Sequence, residues 1–291
     1  MSTISDVSAL EKRAKEITTW HIVKRVLLYL GVFSLAAIML VPFVWMLSAS
    51  FKHNKDVFTF PIQWWPKEFV FSNYVQVWKK IPLFTYMLNS FKITLTNTFF
   101  QVATSSFAAY GFAKCKFPGR DKLFMLYVLT ISVPWYSYMV PQFIMFRTVG
   151  LVDTHIVLVM MQTFTAFGVF LVRQFYLSIP NELCEAARID GLSEYGIYFR
   201  IVLPLSKAVL ASLTIFSFVT VWNDFMGPMI YLNSVELKTM QVGLRSFIGE
   251  YSSEYGLIMA GSIISLVPVL ILFLCLQRFF IEGIASTGLK G

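Results

Sequence analysis

The chain has 291 residues, of which 57% are hydrophobic and 14% are charged. Soluble domains carry about 25% charged residues, so this composition excludes an ordinary soluble protein and predicts an integral membrane protein. The net charge of +8 does not indicate nucleic-acid binding, because no basic segment alternates with stacking aromatic residues. Nucleic acid is therefore not an expected partner, whereas the lipid bilayer is.

The apolar residues lie in runs of about 20, the length that a helix needs to cross a bilayer. Strand-like alternation is absent, and backbone groups in lipid must be hydrogen bonded within their own segment. We therefore predict an all-α membrane protein with six transmembrane helices, at residues 26–47, 86–112, 122–146, 156–176, 205–228 and 257–280. They form a transmembrane domain over residues 26–281, between an N-terminal segment (1–25) and a C-terminal tail (282–291).

The positions of Lys and Arg predict the orientation. Fifteen of these residues lie on the side of both termini and eight on the opposite side. Since cytoplasmic loops are rich in Lys and Arg, we expect a multi-pass protein with both termini in the cytoplasm. Cys115 and Cys184 then lie on cytoplasmic connections and Cys275 in the last span, so no disulfide is expected.

Charged residues are almost absent from the predicted spans, with Lys92 in the second and Asp224 near the outer end of the fifth. Because ion and proton relays use intramembrane charges, such a relay is not expected. Uncharged polar side chains suit a neutral polyhydroxylated ligand. The candidate pathway residues are Asn89, Asn97, Thr130, Tyr136 and Thr163. The alternative is that these groups hydrogen bond one helix to another.

Two prolines, Pro134 and Pro141, lie within the third predicted span. Each removes an intrahelical hydrogen bond, so we expect a kink or a break at each of them. A helix broken at mid-membrane suits a gate, although static bundles contain such breaks as well.

The chain carries no recognisable catalytic motif. All three histidines lie outside the predicted spans, and neither an HExxH motif nor a GxxxxGK[ST] phosphate-binding loop is present. We therefore predict no enzymatic activity, no metal site and no cofactor on this chain. Any uphill transport must draw its energy from a partner.

A charged stretch, EAARIDGLSEYGIYFRIVLP at residues 185–204, interrupts the apolar sequence. It predicts a short cytoplasmic helix over residues 181–190. Ser178 or Asn181 is expected to cap its start, and Gly191 suits a left-handed residue at its end. A second, amphipathic segment is expected to follow along the membrane interface.

The predicted helix offers a small face to another surface. Spacings of three and four residues place on one face Leu183, Ala186, Ala187 and Asp190. Small side chains allow close approach, and Glu185 and Arg188 can pair with charges on the approaching surface. The stretch therefore predicts a helical knob that projects into the cytoplasm between two spans.

The knob resembles the EAA signature of ABC importer permeases at five fixed spacings, through Glu185-Ala186-Ala187, Gly191, Ile201 and Leu203-Pro204. Four segments resemble the MalG-like subunits of carbohydrate importers, namely AAYGFAKCKFPGR (108–120), VRQFYLSIPNELCEAARIDG (172–191), VWNDF (221–225) and QRFFIEGIASTGLKG (277–291). The resemblance implies a type I ABC importer permease fold with six spans and a cytoplasmic coupling helix in the loop 178–204.

The resemblance also implies which residues contact the ATP-binding subunit. The coupling residues would be Glu185, Ala186, Ala187, Arg188, Asp190, Gly191, Leu203 and Pro204. Among them Glu185 would meet a basic residue in a cleft of the ATP-binding subunit, and Gly191 would form the turn. The tail residues Gly288, Lys290 and Gly291 would reach between two copies of that subunit, which would carry ATP and magnesium.

The remaining partners follow from the same resemblance. They are a second permease subunit that forms a heterodimer with this one, an extracytoplasmic substrate-binding protein, and a carbohydrate cargo of two or more sugar units. The location is the cytoplasmic membrane of a prokaryote.

Two alternatives belong to different functional classes. A secondary transporter driven by an ion gradient is expected to contain intramembrane acids and inverted repeats, and the sequence shows neither. A membrane scaffold without transport would be distinguished by uptake assays.

Overall fold

A computed structural model describes residues 3–249 and 253–288, with side chains over 20–249 and 253–279. Within these residues the chain is helical and forms no sheet. The α-helices are α1 (Thr3–Ser50), α2 (Ser72–Lys80), α3 (Leu83–Lys114), α4 (Arg120–Leu129), α5 (Met139–Thr148), α6 (His155–Gln162), α7 (Ala166–Ser178), α8 (Asn181–Ile189), α9 (Glu194–Ile197), α10 (Leu203–Leu205), α11 (Lys207–Trp222), α12 (Met226–Tyr231), α13 (Met240–Arg245) and α14 (Tyr255–Gly288). The prediction of an all-α protein is confirmed.

The centre of the molecule is a bundle of α3, α7 and α11. α14 packs along α11 and joins α1 and α2 to this bundle. An apolar core forms where the ends of α3 and α7 meet the segment that follows α7. Its fully buried side chains include Val172, Tyr176, Ile197 and Val202. The segment containing α8 and α9 is therefore folded onto the bundle.

The first helix is 48 residues long, which corresponds to about 72 Å at 1.5 Å per residue. The boundary predicted at residue 25, between the N-terminal segment and the first span, falls inside this continuous helix. Apolar side chains of α1 from Trp20 to Leu40 are exposed, and the helix packs against α14. A contiguous apolar surface of this extent is typical of a face toward lipid or a partner subunit.

The described residues contain two helices long and apolar enough to cross a membrane, Trp20–Ser50 and Tyr255–Phe279. Two bent pairs raise this number to four if each pair forms one span. These pairs are His155–Gln162 with Ala166–Ser178, bent by 43°, and Glu194–Leu205 with Lys207–Trp222, bent by 79°. The count of six spans stays a prediction.

The third predicted span is broken, as expected, at Pro134. Val133 and Pro134 adopt extended conformations between two 3-10 turns, Thr130–Ser132 and Trp135–Ser137. No comparable break occurs at Pro141, and that expectation was wrong. Pro141 lies in the first turn of α5, where its missing N–H has no intrahelical partner to lose.

α3 and α7 approach each other closely at Gly168. A Cβ added there would lie 2.4 Å from Ser105 Oγ and 2.7 Å from Thr165 Cγ2. Ser105 is fully buried, so its hydroxyl has little room to move away. Only glycine allows the two helices to pack at this distance, as is common between membrane helices.

Gly168→Ala is expected to lower the stability of the protein by about 1 to 3 kcal/mol, because the added methyl group overpacks the α3–α7 contact. The melting temperature of the purified protein in detergent measures this effect. Gly111→Ala is the matched control, since Gly111 on α3 has open space around its Cα. The control is expected to keep or raise the melting temperature, because alanine favours a helix interior. Equal melting temperatures for the two variants would contradict the analysis.

Candidate functional site

The predicted knob contains a helix, α8, that runs from Asn181 to Ile189. It ends in a left-handed glycine, Gly191, with φ of 81°. Leu192 N donates to Ala187 O at 3.0 Å and Gly191 N to Arg188 O at 3.1 Å. These two bonds form a Schellman motif, which satisfies the last carbonyl groups of the helix. The expected helix and its glycine stop are thus present.

The start of α8 differs from the expectation of a side-chain cap. Ser178 Oγ donates to Phe175 O at 2.7 Å, and the residue that precedes the helix is Pro180. Asn181 Oδ1 instead accepts a hydrogen bond from Lys114 Nζ at 2.8 Å. The predicted cap was therefore wrong, because a lysine of α3 occupies the amide oxygen that would have capped the helix.

The face predicted to approach a partner is divided between the two sides of α8. Ala187 is 4% exposed and packs with Cys184 in the core between α3, α7 and α11. Because these residues are three apart, they point the same way and attach the helix to its own chain. The residues left exposed are Asn181, Glu182, Leu183, Glu185, Ala186, Arg188, Ile189 and Asp190. Ala187 thus packs inward, away from the exposed face that includes Ala186.

A charged cluster fixes the C-terminal end of α8. Glu194, on α9, accepts hydrogen bonds from Arg188 Nε at 2.7 Å, Arg188 Nη2 at 3.2 Å and Tyr110 Oη at 2.5 Å. The Arg188 guanidinium lowers the pKa of the Glu194 carboxyl, so the pair is charged at neutral pH. Arg188, expected to pair with a partner protein, therefore pairs within the chain.

A second contact fixes the N-terminal end of α8. Lys114 Nζ donates to Ile179 O at 2.6 Å as well as to the Asn181 side chain. Lys114 and Tyr110 lie one turn apart on α3, on the same side of the helix. The two ends of α8 are thus held by two residues that lie one turn apart on α3. We call the residues of this arrangement the α3 clamp (Tyr110, Lys114, Asn181, Arg188 and Glu194).

The segment that contains α9 buries one side and exposes apolar residues on the other, with Tyr195 65% and Phe199 58% exposed. Ile197 and Tyr198 are buried, and Tyr198 Oη forms a 2.9 Å hydrogen bond with Ser106 Oγ on α3. A π-helical turn over Tyr198–Val202 leads into α10, which contains Leu203 and Pro204. This segment joins α3 to α11.

A second candidate site is a cleft of about 770 Å³ where two helices are interrupted. One wall contains the break around Pro134, and another contains Phe164 and Thr165, between α6 and α7. The lining residues divide into polar and apolar sets. The polar set is Gln101, Thr130, Trp135, Tyr138, Gln162, Thr165, Ser217 and Thr220. A smaller cavity of about 210 Å³ shares Trp135 and Gln162 with the cleft and reaches Asp224.

Asp224 is held at the junction of these cavities. Its Oδ2 accepts from Gln162 Nε2 at 2.7 Å and its Oδ1 from Gly227 N at 3.2 Å. Both side-chain oxygens of Asp224 therefore accept hydrogen bonds within the chain.

The five pathway residues selected from the sequence are only partly brought together. Thr130 lines the cleft. Asn89 donates to Glu236 O at 2.7 Å, and Asn97 donates to Leu158 O at 3.2 Å. Thr163 donates to Val159 O at 2.7 Å, and Tyr136 is 65% exposed and does not line the cleft. Asn89 and Asn97 thus link segments of the chain, as the alternative interpretation proposed.

Sequence reasoning missed Gln101, Gln162, Ser217 and Thr220. A signal for two of them was present, since Ser217, Thr220 and Asp224 recur at spacings of three and four residues along the fifth predicted span. The tail stays untested: Gly288 is the last residue of α14, whereas Lys290 and Gly291 lie outside the described residues.

Comparisons with known proteins cover nearly the whole chain. The family described as binding-protein-dependent transport system inner membrane component matches residues 22–285. The arabinooligosaccharides transport system permease protein AraQ of Halalkalibacterium halodurans is 31% identical over 285 residues, covering 97% of this chain and 100% of the relative. The lactose transport system permease protein LacG of Rhizobium radiobacter is 31% identical over 258 residues, covering 88% and 94%.

A solved structure is also similar. It is the crystal structure of a bacterial ABC transporter involved in the import of the acidic polysaccharide alginate. One of its chains superposes with a TM-score of 0.75 at 26% identity, covering 90% of this chain and 96% of that chain. The fold of a transporter membrane subunit is thus established.

Glu194→Ala is expected to raise the rate at which Cys184 reacts with a thiol reagent by about tenfold. The substitution removes the hydrogen bonds to the Glu194 carboxylate, and a loss of about 1.4 kcal/mol makes local detachment of α8 about ten times more frequent. Cys184 is 1% exposed beneath α8, so its thiol reports detachment of the helix. The rate is measured in purified protein with Cys115 and Cys275 replaced by serine. Glu182→Ala, at an exposed position on α8, is the control and should leave the rate unchanged. An unchanged rate in Glu194→Ala would show that the α3 clamp does not hold the helix.

Proposed function

The chain belongs to the family of binding-protein-dependent transport system inner membrane components, so it is a membrane permease subunit, and we propose that its cargo is a carbohydrate of two or more sugar units. The named cargo of AraQ and of LacG supports this proposal. The polar and aromatic lining of the cleft also supports it, because hydroxyl, amide and ring groups are those that recognise sugars.

One observation carries the proposed mechanism. α8 presents Glu185 and Ala186 beside the exposed apolar side chains Leu183 and Ile189, while the α3 clamp holds both ends of the helix. Ile189 is 87% exposed, which is uncommon for an isoleucine that stays in water. We propose that an ATP-binding subunit covers this face and that Glu185 pairs with a basic residue in its cleft.

The clamp gives the proposed coupling a mechanical route. When two ATP-binding subunits close, each would move its α8 helix as a rigid body. Through Tyr110 and Lys114 this movement reaches α3, and through the segment after α9 it reaches α11. Both α3 and α11 line the cleft, with Gln101 and Thr220 respectively. ATP-driven closure would therefore change the access to the cleft from the two sides of the membrane.

The proposed assembly contains two copies of the ATP-binding subunit, which hold ATP and magnesium and carry out the hydrolysis. A second permease subunit completes a heterodimer, and an extracytoplasmic substrate-binding protein delivers the cargo. The termini lie in the cytoplasm, where Gly288, Lys290 and Gly291 would reach between the ATP-binding subunits. Family membership favours this assembly over an ion-driven transporter or a scaffold.

Glu185→Arg is expected to reduce sugar uptake at least tenfold, because it places a positive charge against the proposed basic partner. Uptake of labelled oligosaccharides by cells and ATP hydrolysis by the purified importer are measured together, with the amount of the chain in the membrane checked by immunoblot. Glu68→Arg, at a side chain that is 82% exposed outside the knob, is the matched control. Normal uptake by the Glu185 variant at normal membrane levels would refute the coupling role.

The composition of the assembly is tested separately. The tagged chain is purified gently from its native membrane, and the proteins recovered with it are identified by mass spectrometry. Recovery of an ATP-binding subunit and a second permease is expected. Recovery of the chain without any nucleotide-binding subunit would overturn the proposal.

A further inference from the structure

The cleft contains hydrogen-bonding groups that the protein itself does not use. Gln101 is 7% exposed and lines the cleft, yet within the described part of the chain its side-chain amide has no hydrogen-bond partner. Ser217 also lines the cleft, and its hydroxyl forms no hydrogen bond to the described residues. Gln162 donates to Asp224, but its own oxygen has no partner among the described residues. Of these polar atoms Gln162 Oε1 is fully buried, and buried polar atoms normally have a hydrogen-bond partner, so the lining indicates a polar ligand or ordered water in the cleft.

The unsatisfied groups converge on one space from three helices. Gln101 lies on α3, Gln162 at the end of α6, and Ser217 and Thr220 on α11. Ser217, Thr220 and Asp224 follow one another at spacings that place them on one side of α11 and its continuation. A cargo in the cleft would thus meet amide and hydroxyl groups on several sides.

Aromatic rings form much of the remaining wall. They are Trp135, Tyr138, Phe164, Phe167 and Phe216. Flat ring faces beside hydroxyl and amide groups suit the alternating C–H faces and hydroxyl edges of a sugar ring.

The charge that lines the cleft and the adjoining cavity is of one sign, negative. Among the described residues that line the cleft or the adjoining smaller cavity, none is Lys, Arg or His. The one charged side chain among them is Asp224, whose two oxygens accept bonds from Gln162 and Gly227. An anionic cargo would have to leave water for a site with no cation and with a carboxylate nearby, which is costly.

We propose that this subunit selects its cargo by charge: the cleft holds uncharged, polyhydroxylated cargo through Gln101, Ser217 and Thr220, and Asp224 excludes anionic sugars. This inference rests on the proposed function, since it assigns the class of carbohydrate. It separates the cargo of this chain from acidic polysaccharides and from phosphorylated or sulfonated sugars.

The test measures the electrostatic preference of the cleft directly. Ser217→Cys is introduced into the assembled importer, with its second permease and ATP-binding subunits, in a background in which the three native cysteines are replaced. Its reaction rates with neutral hydroxyethyl, cationic trimethylammonioethyl and anionic sulfonatoethyl methanethiosulfonates are measured in membrane vesicles. Each rate is normalised to the reaction of that reagent with free 2-mercaptoethanol. Thr220→Cys serves as a second reporter if Ser217→Cys assembles poorly.

The anionic reagent is expected to react about tenfold more slowly than the neutral one, since a charged cleft changes local concentrations by that order. Adding Asp224→Asn, which keeps the shape of the side chain and one of its two acceptor oxygens but removes the charge, should bring the two rates within about threefold of each other. Ser212→Cys is the matched control, because Ser212 is a buried serine on α11 outside the cleft and should react slowly with all three reagents.

Each other outcome decides against the proposal. Equal rates for the anionic and neutral reagents would show that the cleft does not reject anions. A preference that survives Asp224→Asn would remove Asp224 from its assigned role, and no reaction at either reporter would show that cargo does not reach the cleft. If the importer takes up no sugar but Ser217→Cys still reacts more slowly with the anionic reagent, the proposed carbohydrate cargo is wrong and the charge preference of the cleft stands. Failure of the proposed function can therefore be told apart from failure of this inference.

Discussion

The arrangement of the knob depends on one carboxylate, Glu194, which receives hydrogen bonds from Arg188 and Tyr110 at the same time. Arg188 belongs to α8 and Tyr110 to α3, so the carboxylate joins the short helix to the long one. Hydrogen bonds between charged groups are shorter and stronger than neutral ones, and here the geometry is two-pronged. Without the hydrogen bonds to Glu194, the C-terminal end of α8 would be attached mainly by the packing of Ala187. That contact is too small to fix the direction of the helix axis.

α3 is the element that the two candidate sites share. Near its C-terminal end Tyr110 and Lys114 hold α8, and about three turns earlier Gln101 lines the cleft. Between them Ser105 meets Gly168 at a distance that excludes any larger residue. A packed interior transmits displacement instead of absorbing it. A movement imposed on α8 therefore has a direct structural route to the cleft, through a helix that cannot slide freely past α7.

Much of the knob could be predicted from the sequence, because capping and charge act locally. Gly191 marks the end of α8 through its backbone freedom, and Pro134 marks a break through its missing N–H, and neither depends on distant residues. The partner of Arg188 was not predictable, since Glu194 and Tyr110 are brought to it only by the fold. The direction of Ala187 was mistaken for the same reason. Local spacing places Ala186 and Ala187 side by side, but the core beneath α8 decides which of them is buried.

The location of the cleft follows from the limits that lipid sets on the backbone. A helix broken inside a membrane leaves N–H and C=O groups without partners, and lipid offers none, so broken segments are tolerated where they line protein or a hydrated cavity. The break around Pro134 and the interruption between α6 and α7, at Phe164 and Thr165, occur in different parts of the chain, yet both line the same space. One cavity thus adjoins both breaks. The same unsatisfied polarity that makes this region unsuitable for lipid makes it suitable for a cargo that must exchange its water for hydrogen bonds as it crosses.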